Sequence, residues 1–159
     1  MTIIENQIID TWNVHNNVTL FVVDRIPDET LKATLSARGG RDIGRQFGHM
    51  NAVRVWQLEA FAKKQSLPLT NFPKDETPEK NLLVEAYKQS GTAMGKYLGH
   101  CIINKEGKAT NFKGGVIQML AYYISHEAHH RGNILLTMKQ CGFKIPEELK
   151  WGIWDMMRK

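Results

Sequence analysis

An all-α four-helix bundle with a short C-terminal helix is predicted for this chain by three observations. Apolar residues recur at steps of three and four in four long segments. Alternation of period two is almost absent. The segments are separated by breaks rich in proline and glycine. The 159 residues have the length of one domain, 1–159, with no internal repeat or low-complexity tract.

The first helical stripe is Ile4, Ile8, Trp12, His15, Thr19, Val22 and Ile26, ended by Pro27. A linker follows to Asp42, with a short helix predicted in its middle and Ala37-Arg-Gly-Gly as a stop. The second helix is predicted from Ile43 to Gln65, with Phe47, Met50, Val53, Trp56, Ala60 and Phe61 as its apolar set. Ser66 to Glu79 carries Pro68, Pro73 and Pro78, and is long enough to cross over the bundle rather than turn back tightly. Thr77-Pro78 reads as an N-cap followed by proline at the first helical position. The third helix then covers Glu79 to Ile102, with Leu83, Tyr87, Ser90, Met94, Tyr97 and Cys101 on one side. Gly91, Gly95 and Gly99, four apart on that helix, predict close approach of a neighbouring helix. Asn104-Lys-Glu-Gly-Lys is predicted as a turn, the tip of a small hairpin being one form of it. The fourth helix runs from Gly115 to Gln140, stopped by Gly142, and Pro146-Glu-Glu-Leu opens a last helix bearing Trp151 and Trp154.

Composition removes several classes. Lys plus Arg number 21 against 16 Asp plus Glu, a formal net charge of +5. The basic residues are dispersed over the predicted loops and ends, and no basic run is interleaved with aromatics, so no nucleic-acid partner is expected. No uninterrupted apolar stretch of about 18 residues occurs, so no membrane span is expected. Glu5 and Asp10 come early and no basic start precedes an apolar run, which argues against a cleaved leader. Two cysteines, Cys101 and Cys141, make no disulfide framework, and a cytoplasmic location is the expectation.

Histidine is the anomaly: six in the chain, three of them within His126-Glu127-Ala128-His129-His130. His126 and His130 are four apart, about 40° from each other around a helix. Two imidazoles so placed can chelate one first-row metal ion. Met119, Tyr122, Tyr123, Ile134 and Thr137 share their side, so the pair is predicted to point inward. His49 in the second helix lies beside Ala52, Val53 and Trp56 and is expected to face the core too, where a shared metal satisfies buried imidazoles. His15 reads as a packing or pocket-wall residue, His129 as a flanking residue or a solvated one, and His100 as exposed.

His126-Glu127-Ala128-His129-His130 also satisfies H-E-x-x-H, the zincin metalloprotease signature, with Glu127 as general base. Against a protease stand Asn133 where a metzincin needs glycine, the lack of an edge strand, and Glu127 at roughly 100° from His126 around the helix.

Phe47-Gly-His-Met-Asn-Ala-Val-Arg-Val-Trp56 followed by Ile124-Ser-His-Glu-Ala-His-His-Arg-Gly-Asn-Ile134 resembles the DinB (DinB/YfiT-like) family, as do Trp12-Asn-Val-His-Asn-Asn17 and the tail Pro146 to Trp154. The resemblance spans nearly the whole chain. It implies a bundle of up-down-down-up order, its second and third helices parallel through the long crossover, and a homodimer. It implies a metal, zinc or nickel, held by His49, His126 and His130. Members of known chemistry are thiol-dependent transferases using bacillithiol, mycothiol or glutathione. Asn133 departs from the family's usual glutamine, and the tail Trp154-Asp-Met-Met lacks a further aromatic that relatives often carry; both alter the surroundings of the site rather than a ligand.

The expected activity is therefore that of a metal-dependent thiol S-transferase or hydrolase acting on a small molecule. Glu127, Tyr123 and Asn133 are candidate catalytic residues, and Trp12 and His15 candidates for binding a thiol cofactor. A non-enzymatic metal or small-ligand binding stress protein uses the same three histidines. The two differ in coordination, an open position favouring catalysis and a closed shell a structural role.

Overall fold

The computed structural model describes residues 1–104 and 111–158. These form five α-helices and one 3₁₀ turn, with no strand among the described residues: α1 (Ile3–Arg25), the turn (Asp28–Thr30), α2 (Ile43–Gln65), α3 (Lys80–Ile103), α4 (Gly115–Gln140) and α5 (Glu147–Arg158). The turn predicted at Asn104-Lys-Glu-Gly-Lys lies largely outside the described residues.

The helix ends follow local chemistry. At α1, Thr2 accepts from the Glu5 amide while the Glu5 carboxylate accepts from the Thr2 amide, a reciprocal cap. Asp42 caps α2 through the Arg45 amide. The start of α3 differs from the prediction. Glu79 occupies the N-cap position, and the Thr77 hydroxyl instead donates to Asp42 across the junction, 2.6 Å away. A long-range partner thus takes the oxygen that a local cap would have used.

Residue pairs fix the directions. Trp12 and Asn13 on α1 meet Gly91 and Gly95 on α3, and Ile9 meets Gly99, so these helices are antiparallel. Phe47 and Phe61 on α2 meet Tyr87 and Tyr97 on α3 in ascending order, so α2 and α3 run parallel. Trp12, His15 and Thr19 of α1 meet Tyr123, Glu127 and Arg131 of α4 in ascending order. The order is up-down-down-up. The crossover is pinned where the Asn51 amide donates to the Thr70 carbonyl and the Thr70 hydroxyl to Gln89.

The core has two apolar clusters. One contains Val22, Ile26, Phe47, Met50, Tyr87, Ile134 and Met138; the other contains Trp12, Leu58, Met94, Tyr97, Met119 and Tyr123. Between them, in each of α1 to α4, lie buried polar residues: His15 and Thr19, Arg54, Ser90, and Glu127 with Arg131. The interior is thus apolar, polar, apolar along the bundle axis.

Several predicted core positions are corrected. Ile4 is exposed, as is Trp56 at 68%, while Arg54 and Leu58 of α2 are wholly buried. The α2 stripe that faces the core is Phe47, Asn51, Arg54, Leu58 and Ala62. Tyr122 is also exposed, and on α5, where Trp151 and Trp154 are exposed, Leu149 is the buried anchor. His100 is half-buried against the Phe61 ring rather than exposed.

Candidate metal centre

α2 supplies His49 and α4 supplies His126 and His130, and the antiparallel pairing of these helices brings all three together. One ring nitrogen of each lies within 4.8 Å of the others. The ring centroids are 5.4 Å apart for His49 and His126, 5.1 Å for His49 and His130, and 4.7 Å for His126 and His130. The Tyr122 ring lies flat against His126, 5.7 Å away with an interplanar angle of 2°.

The three histidines are half-buried, not enclosed in the core as their sequence neighbours predicted. The centre of the bundle at that level is filled by the polar layer, which leaves the histidines on the α2–α4 edge. His49 borders a cavity of about 360 Å³, walled by Arg41 and Arg45, by Gly48 and Ala52 of α2, and by the crossover residues Asn71, Phe72, Pro73, Lys74 and Glu76.

Burial is the main cause that lowers the pKa of each imidazole. Arg41 and His126 add to it at His49, and His129 adds to it at His126, where Glu127 opposes. At His130 burial, the two neighbouring histidines, His129 and Arg41 bring the value down to about 4. All three rings are therefore neutral near pH 7, the state that ligates.

These residues fit a metal ion. The Nδ1 atoms of His126 and His130 are buried without a hydrogen-bond partner, a costly arrangement that a Lewis acid shared with His49 would relieve. Three imidazoles suit a first-row divalent ion and leave coordination positions open. No carboxylate or cysteine joins the cluster among the described residues.

The other candidates lie elsewhere. Glu127, next to His126 in sequence, is wholly buried in the polar layer. Its Oε1 accepts from Arg54 Nε at 2.6 Å, and its Oε2 from Arg54 Nη2 at 2.7 Å and Thr19 Oγ1 at 3.0 Å, with His15 Nε2 at 2.9 Å. Although burial alone would raise it, Arg54 and the His15 hydrogen bond hold this carboxyl far below the usual range. A carboxylate so engaged is a poor general base, which weakens the protease reading further. Tyr123 is buried and its hydroxyl donates to the Val53 carbonyl at 3.3 Å; burial foremost raises its pKa well above the ordinary value. Asn133 pairs with the exposed His129, 2.9 Å from its Nε2. Trp12 is fully enclosed, its indole N–H donating to the Gly91 carbonyl. His15 spans two environments, bonded to Glu127 on one side and lining a groove on the other.

Arg54 was not singled out by sequence reasoning. Its place at helical spacing between Phe47, Asn51 and Leu58 is a signal that could have found it, because a charge on an apolar stripe needs an internal partner.

The sequence model of the DinB family matches residues 1–148. The crystal structure of a DinB-like protein from Bacillus cereus ATCC 10987 superposes with a TM-score of 0.60 at 20% identity, over 87% of this chain and 93% of that one, a likeness of fold. No curated protein matches the chain significantly.

Proposed function

The chain belongs to the DinB family, and on that premise we propose that it is a metal-dependent enzyme, a thiol S-transferase or, next, a hydrolase, acting on a small electrophilic molecule. The observation that carries this reading is the cluster of three neutral, half-exposed imidazoles with two unsatisfied Nδ1 atoms beside a cavity. A closed structural site would use a fourth protein ligand, and none is present among the described residues.

His49, His126 and His130 would hold the ion. A bound zinc or nickel ion supplies Lewis acidity, which lowers the pKa of a thiol or water nucleophile. Tyr122 fixes the plane of His126. Glu127 is a positioning residue in this reading: clamped by Arg54 of α2, it holds α4 in the rotation that turns its neighbours toward His49. Arg41, Arg45 and Lys74 outnumber Glu76 on the wall of the adjoining cavity, and although Arg45 also reaches Asp75 at 3.4 Å, this excess of cations favours substrates or thiol cofactors bearing a carboxylate. A homodimer belongs to the same reading on the strength of the family resemblance, and a cytoplasmic location on the two cysteines that make no disulfide framework.

Metal analysis is the first test. The purified chain should carry or take up one zinc or nickel ion, and a variant with all three histidines changed to alanine should carry none. Retention of one ion per chain by that variant would remove the site assignment. The chemistry is tested by offering bacillithiol, mycothiol and glutathione in turn with monobromobimane or chlorodinitrobenzene. A metal- and thiol-dependent rate is expected, and its absence with all three thiols would leave only the metal-binding protein.

A further inference from the structure

On the side of α4 turned away from the histidine pair lies a second feature, a groove of about 850 Å³ between α1, α4 and α5. Its walls are mainly apolar, among them Val14, Val18, Leu135, Ile153, Trp154 and Met157. The last helix forms one bank: Leu149 is buried beneath it, Gly152 packs tightly on Phe21, and Arg25 reaches Glu148 at 3.4 Å.

At the inner wall of the groove stands Arg131, only 8% exposed. One of its nitrogens, Nη1, donates to Thr19 at 2.8 Å, and no carboxylate lies within ion-pair distance of it among the described residues. The carboxylate next in line, Glu127, is already taken by both nitrogens of the Arg54 fork. Among the described residues the buried charged groups are thus Arg54, Arg131 and Glu127, two cations for one anion. Arg131 meets the groove through the small part of its side chain that is exposed, and the N–H groups it does not give to Thr19 suit a carboxylate. At the rim Asp10 is exposed and makes no ion pair with Arg131, and the Lys150 ammonium is paired with Glu147.

We propose that this groove binds an amphiphilic monoanion, a carboxylate on a hydrocarbon body, with its head group on Arg131 and its chain along Val14, Leu135 and Ile153. Charge complementarity distinguishes this occupant from a second copy of the chain: an apolar protein face would cover the walls and leave the inner cation unmatched.

Decanoate, decanol and decyltrimethylammonium share a chain and differ in head-group charge, so calorimetric titration of the full chain with each is the test. Decanoate should bind saturably, one per chain, shifting the emission of Trp154, with decanol and the cation at least about tenfold weaker. Arg131→Gln should bring decanoate down to the affinity of decanol. Should that variant fail to fold, Gly132→Leu serves, since the space beside Gly132 is open and a leucine there would fill the groove. It should abolish decanoate binding while the helical spectrum is kept. Equal affinity for decanoate and decanol, no binding at all, or unchanged binding in Gly132→Leu would overturn the proposal. So would a dimer that Gly132→Leu dissociates while decanoate fails to bind.

Discussion

Arg54 of α2 and Glu127 of α4 meet through two parallel hydrogen bonds of 2.6 and 2.7 Å, with both side chains wholly excluded from solvent. The guanidinium also lies 4.8 Å from the ring centres of Trp12 and Tyr87 and donates to Asn16 from Nη1. Breaking such a pair from one side strands a buried charge. Arg54→Met should therefore destabilise the fold by about 3–5 kcal/mol in urea unfolding. The double variant with Glu127→Met should lose less than the sum of the single changes, because the two residues act as a unit. Additive losses would show that the pair is not coupled.

The glycines of α3 divide by what surrounds them. A Cβ on Gly91 would overlap the Asn16 side chain, and the Gly91 carbonyl holds the Trp12 indole. Gly91→Ala should cost about 1–3 kcal/mol. A Cβ on Gly95 would meet Asn13 and Trp12 at ordinary distances of 3.6 and 3.7 Å. Gly95→Ala should then gain up to about 1 kcal/mol from the lower backbone entropy of the unfolded chain. Thermal unfolding of the two variants should move in opposite directions.

His15 makes stability depend on pH. Burial lowers its pKa below the ordinary 6.5, Arg131 and Arg54 act the same way, and Glu127 opposes them. Below 6.5 the unfolded chain binds a proton that the folded one refuses. The stability this group contributes is complete above that value and falls away on acidification. Between about pH 7 and about pH 5 the wild type should lose more stability than His15→Gln. Because His49, His126 and His130 shift in the same direction, the difference between the two proteins isolates His15. Parallel pH profiles would contradict this.

His129 and His130 are neighbours with separate fates. His130 belongs to the triad, whereas His129 is exposed and pairs with Asn133. His129→Ala should keep the metal stoichiometry, and His130→Ala should weaken metal binding by more than about tenfold. Competition against a chromogenic chelator measures both. An equal effect of the two changes would place His129 among the ligands.

Local pattern carried most of the architecture. Steps of three and four, with proline and glycine between them, placed α2 and α4 approximately where they lie and gave the C-terminal helix, because helical periodicity and capping are properties of neighbouring residues. The i, i+4 spacing of His126 and His130 was legible for the same reason. Whether those histidines lie inside was not, since a stripe such as Phe47, Asn51, Arg54 and Leu58 becomes the buried one only when the facing helices supply Glu127 and Ser90 to receive Arg54. By itself the sequence determined a helical bundle, its long crossover and a pair of imidazoles one helical turn apart. Tertiary structure alone decided that Glu127 is clamped in a central polar layer while His49 joins His126 and His130 at the edge. Burial of a charge is settled by partners distant in the chain, which spacing along one helix does not encode.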